Sequence, residues 1–154
     1  MKRALYGVAA LGLVMAGAAG ALAVTGAASE DVIRPAELTA AEIAGAIFDH
    51  PDAVVRTRGE RTTHDFITHL SSDKKFVSGI YRATEGHWTY DDRTYGVDEF
   101  MYFIEGSVTL TSEDGTVQEI KAGETATIPK EWKGTWDTQG YSKLYVIYSA
   151  DGVD

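Results

Sequence analysis

The chain reads as an all-β single domain, an antiparallel sandwich or barrel with one short helix at its N-terminal side. Three observations predict this. Short β-branched and aromatic runs follow one another, with turn residues every ~8–12 positions. Glu113-Asp114-Gly115-Thr116 sits between the alternating runs Val108–Thr111 and Val117–Ile120, and Asp-Gly in that setting is a strong hairpin signal. At 154 residues the chain is long enough for one domain with a core and short for two.

The first 28 residues stand outside that domain. Met1-Lys2-Arg3 is a basic head, and an uncharged Ala/Gly/Leu/Val run follows from Ala4 to Ala28. This is the layout of a secretory signal, with small-x-small cleavage sites ending at Ala23 and Ala28. The other reading is an uncleaved anchor, since the run is long enough to span a bilayer. The Ala/Gly richness favours cleavage, which places the domain in the periplasm or outside the cell and leaves no membrane attachment. Removing the segment takes away Lys2 and Arg3 and no acid, moving the net charge from −9 to −11. Such a surface repels phosphate backbones, so nucleic acid is not an expected partner. With no cysteine, disulfides, thiolate metal sites and cysteine nucleophiles are excluded.

Residues 29–75 read as an N-terminal helix and strand extension. Thr39 and Glu42 have capping-box spacing, with Leu38 and Ile43 at the staple positions. Ile43, Ala46 and Ile47 form a short apolar stripe, and His50-Pro51 ends the helix. Ala53–Arg58 reads as a strand; Thr62–Leu70 is ambiguous. Within 76–150, strands are expected at Phe76–Ala83, His87–Tyr90, Glu99–Ile104, Val108–Thr111, Val117–Ile120, Thr125–Ile128 and Lys143–Tyr148, with a turn at Thr138–Gly140.

Two spacings are more specific. Gly86 is followed after five residues by Asp92-x-Thr94, then by Glu99 and Gly106; Gly123 is followed after five residues by Pro129-x-Glu131, then by Gly134 and Thr138. These frames resemble, without a gap, the two motifs of the cupins, in which Gly, His-x-His, Glu and Gly are followed by Gly, Pro-x-Gly, His and Asn. Ser78–Tyr81, Asp98–Gly106 and Lys133–Trp136 resemble most the branch holding the ethanolamine-utilisation and ureidoglycine aminohydrolase-like cupins. The resemblance covers roughly Phe76 to Tyr148 and implies a single cupin-type double-stranded β-helix, a jelly-roll barrel. A homodimer is expected, because small barrels of this kind leave sheet edges that partners or N-terminal segments cover.

The cupin metal site implied by the resemblance uses the motif histidines and glutamate. Here Asp92, Thr94 and Gly134 stand in the histidine slots and Glu99 alone is kept. No metal or other cofactor is therefore expected, unless His64, His69 or His87 rebuilds a site from outside the motifs. Strand alternation puts Glu99, Met101 and Phe103 on one face, which the resemblance makes the interior. Glu99 is the candidate catalytic group, and Tyr81, Asp92, Met101, Trp132 and Trp136 are the candidate ligand contacts. Aromatics around one carboxylate suit a small polar or amphipathic molecule. The alternative for Trp136 and its neighbours is a solid aromatic core. Two functions follow: a metal-independent ligand-binding protein, or an enzyme of aminohydrolase, lyase or isomerase type using Glu99 as acid/base or in an unorthodox metal site.

Overall fold

A computed structural model describes residues 32–153. The expected signal and both cleavage sites lie outside them. Seven strands form one antiparallel sheet: β1 (Val54–Arg58), β2 (Arg61–Leu70), β3 (Phe76–Tyr90), β4 (Asp98–Ser112), β5 (Val117–Lys121), β6 (Thr125–Ile128) and β7 (Gly134–Tyr148). The strand order is β1-β2-β3-β7-β4-β5, with β6 also paired to β4. The ambiguous stretch is thus strand β2, and through it the N-terminal extension is hydrogen-bonded into the sheet, Asp65 opposite Tyr81.

Strands β3, β4 and β7 are each 15 residues long. Strands β3 and β4 each join two segments that read as separate in the sequence; β7 extends the expected Lys143–Tyr148 strand back to Gly134, so that the expected turn at Thr138–Gly140 is not a turn but part of β7. The reason is a change of inward parity at one level of the barrel. On β4 the buried set is Glu99, Met101 and Phe103 before the change and Val108 and Leu110 after it. On β7 it is Trp136 and Thr138, then Tyr141, Lys143 and Tyr145. Gly106 and Gly140 lie on this fold line, at φ +71° and +123°. The register between β4 and β7 shifts on either side of Gly106. A Cβ on Gly106 would run into the Gly140 carbonyl, so only glycine allows the two strands to cross here.

The capping box forms as read: the Thr39 side chain accepts from the Glu42 N–H while the Glu42 carboxylate accepts from the Thr39 N–H. Helix α1 (Ala40–Ile43) is shorter than the sequence suggests, because Gly45 at φ +124° breaks it and a 3₁₀ turn, Ala46–Asp49, follows. That turn drops Ile47 and Phe48 onto Ile80, with Leu38, Phe66, Ile104 and Leu144 around them. They form a small second core on the outside of the sheet. The main core fills the barrel and contains Val77, Tyr81, Met101, Phe103, Trp136, Tyr141 and Tyr145.

Candidate functional site

Glu99 lies on β4, 4% exposed, between Ile128 of β6 and Ile147 of β7. Alternation explains its direction, since Phe100 and Tyr102 on either side of Met101 are the exposed residues of the same strand. A carboxylate there needs partners, and it has two. Lys143 Nζ donates to Oε1 at 2.6 Å, and the Tyr95 hydroxyl donates to Oε2. Lys143 is 5% exposed, so this is a buried ion pair. Its ammonium also donates to Met101 Sδ at 3.0 Å. Around the ammonium stand the rings of Trp136, Tyr81 and Tyr141 at 5.3, 5.6 and 5.8 Å.

Two further polar pairs border this one. Tyr145 donates to Asp65 Oδ1 at 2.8 Å, and Arg61 Nη2 donates to the Tyr81 hydroxyl at 2.9 Å. Burial pushes the Asp65 carboxyl above its usual range, with the Tyr145 bond and the Arg56 and Lys143 charges pulling the other way. Burial and the adjacent acids push the Tyr95 and Tyr145 hydroxyls well up, so both stay protonated donors. Two buried donors, Arg61 Nε and Trp136 Nε1, have no hydrogen-bond partner among the described residues.

The candidate residues divide. Glu99, Met101, Tyr81 and Trp136 belong to one interior cluster. Trp132 is one layer back: it packs on Tyr90 and Tyr95, and its indole donates to Ser112 Oγ at 3.1 Å. Asp92 is exposed on the bend after β3, as is Thr94 beyond it, because the chain leaves the sheet at Tyr90 before it reaches those slots. Asp92 is thus no interior ligand contact. The third slot, Gly134, opens no space either, since a Cβ placed there would meet the Thr111 carbonyl oxygen at 2.1 Å and the Trp132 ring at 2.7 Å.

The residues present do not fit the metal that the fold implies. Both oxygens of Glu99 are taken by Lys143 and Tyr95, and an ammonium at 2.6 Å stands where a cation would bind. Among the described residues no three His, Asp or Glu side chains converge. His64 packs on Phe48, His69 on Phe76, and His87 is exposed and bonded through Nδ1 to Asp137 Oδ1 at 2.5 Å.

Lys143, Tyr95, Arg61 and Asp65 were not candidates in the sequence. Lys143 had a signal, a lysine between Tyr141 and Tyr145 at a shared parity in an apolar strand. Asp65 lies in the stretch Thr62–Leu70 that is ambiguous in the sequence, Arg61 directly precedes it at the same parity, and Tyr95 lies in a loop where periodicity says nothing.

Above this cluster the end of the barrel carries a cleft of about 490 Å³. Arg61 and Trp88 line it with Gly86, Thr138 and the rim residues Glu60 and Glu85. The Arg61 guanidinium lies 4.0 Å over the Trp88 ring, and Trp88 meets Trp136 edge-on at 6.3 Å, so the cleft and the interior share a wall.

Residues 70–145 match the family model of the EutQ-like cupin domain. Among solved structures, a protein of unknown function from Rhizobium leguminosarum aligns at 23% identity and TM-score 0.53, over 76% of this chain and 99% of its own. The EutQ protein of Clostridium difficile aligns at 21% identity and TM-score 0.50, over 68% and 81%. A DUF861 protein of unknown function from Pseudomonas syringae aligns at 16% identity and TM-score 0.56, over 62% of this chain. This chain spans only 43% of that protein's length. No curated protein matches the chain.

Proposed function

Because the chain belongs to the cupin superfamily, in its EutQ-like branch, we propose that it binds a small polar or amphipathic molecule at the end of the barrel, with the Lys143–Glu99 pair in place of a metal. One observation carries this reading: buried donors remain unspent beside aromatic walls. A protein that satisfies Glu99, Asp65 and Tyr81 with care leaves Arg61 Nε and Trp136 Nε1 without acceptors. Buried polar groups are normally paired, so a ligand that supplies acceptors suits this wall.

The enzymatic alternative draws support from Tyr95 and Lys143, two proton-bearing groups on one carboxylate. It is the weaker reading, because Glu99 is 4% exposed, is ion-paired with Lys143 and is not among the residues that line the cleft. Glu99 is better placed to hold Lys143 than to take a proton. The same reading keeps the chain outside the cytoplasm, on the strength of its N-terminal segment. It also pairs the chain as a dimer, since edge strand β1 leaves Val54 and Val55 39% and 53% exposed. Native mass spectrometry of protein made with its full N-terminus reads both, through the first residue and the oligomer mass.

The binding test is a thermal-shift screen with neutral, cationic and anionic compounds small enough for the cleft. Saturating ligand at about 100 times Kd should add about 2.7 kcal/mol, an effect lost in Tyr81→Leu. A panel in which no class of compound stabilises the protein would count against the reading.

A further inference from the structure

We propose that the ligand presents a carboxylate, and that Arg61 Nε and Trp136 Nε1 select it; this rests on the small-ligand reading above. Both donors are buried and unpartnered, and the Trp136 side chain is 3% exposed. They belong to one wall, because Arg61 lies on Trp88 and Trp88 meets Trp136. Arg61 and Trp88 line the cleft, and Trp136 lies directly behind Trp88.

The choice between a carboxylate and a neutral acceptor follows from charge. Arg61 spends Nη2 on a neutral phenol, and among the described residues no carboxylate lies within ion-pair distance of its guanidinium. Glu99 is already neutralised by Lys143. Asp65 is bonded to Tyr145, and its burial favours the uncharged form. Among the described residues the Arg61 guanidinium, like that of Arg58 at the rim, lacks a counter-ion, and on the inner side it belongs to the same wall as a second N–H that lacks an acceptor. A carboxylate supplies two acceptor oxygens and a negative charge, and bonds to a charged donor are the stronger kind. A carboxamide of the same shape supplies one acceptor and turns an NH₂ toward donors that cannot receive it. The carboxylates Glu60, Glu85 and Asp137, the last bonded to His87, oppose anions in the cleft at large. Selection therefore falls to the donors at its inner wall.

The test is a titration of the ¹⁵N-labelled full chain, followed through the indole Nε1–H resonance of Trp136 and the Nε–H resonance of Arg61. The probes are propionate and benzoate, each against its own amide. We expect saturable shifts of both resonances with the acids and at least tenfold weaker binding of the amides. Trp136→Phe and Arg61→Lys should each remove most of that preference, the lysine keeping the charge but losing Nε. Arg61→Lys also serves if the tryptophan variant fails to fold. Equal binding of acid and amide overturns the carboxylate and leaves a ligand site. The carboxylate is likewise overturned if neither probe moves these resonances while the thermal-shift screen finds another class of ligand. Silence in both experiments removes the ligand site as well.

Discussion

Replacing Lys143 with Met should be among the most damaging single changes in this protein, although lysine is an unusual core residue. Its methylenes run through a core of Tyr81, Tyr141 and Tyr145, and Met fills nearly the same volume, so little is lost in packing. What is lost is the ammonium 2.6 Å from a carboxylate that is 4% exposed. Removing one partner of such a pair costs about 3–5 kcal/mol, because the other is left charged and buried. For a domain of this size that is a fall in Tm of roughly 10–20 °C. The double variant Lys143→Met/Glu99→Leu removes both charges and should be about as stable as either single variant. The resulting coupling in urea denaturation is then about the cost of one single variant, about 3–5 kcal/mol. Additive losses, within about 0.5 kcal/mol, would refute the reasoning, as would a Lys143→Met variant that unfolds with the wild type.

Two other outcomes follow from the same geometry. The Asp65 carboxyl has a folded-state pKa raised above 3.8 by burial, so the folded protein binds a proton more tightly there than the unfolded chain. Its contribution is therefore complete below pH 3.8 and is lost as pH rises through the raised value. Asp65→Asn, which can still accept from Tyr145, should gain stability relative to the wild type as pH climbs from about 4 to 7, read from urea midpoints at each pH. A difference that stays flat or falls would reverse the assignment. Gly106→Ala combines a positive φ with a collision against the Gly140 carbonyl, and should cost about 3 kcal/mol or more by the same assay. A loss under about 1 kcal/mol would mean the strands do not cross there as described.

Much of the fold was legible because its punctuation is chemical. Gly106 and Gly123 both have positive φ, as their motif positions suggest, and Asp114-Gly115 turns the β4–β5 hairpin. Gly86 is there for a different reason: it lies within β3, where a Cβ would strike the Trp88 ring. Strand lengths were not legible, since a change of inward parity without a chain break looks like a loop to a period-2 reading. The interior position of Glu99 followed from alternation with Met101 and Phe103. Its partners did not, because Lys143 sits 44 residues away and Tyr95 approaches from a loop. Pairing across a barrel is a property of register, and register between distant strands is not written in either strand alone.

Lys143 holds the carboxylate that the motif would give to a metal. Total metal content of the chain, purified without chelators or a histidine tag and then offered Mn, Fe, Ni, Cu and Zn in turn, tests it most directly. Metal should stay far below one per chain, unchanged in Glu99→Gln. Close to one ion per chain, lost in Glu99→Gln, would contradict it and make the Lys143 contact secondary to a metal centre.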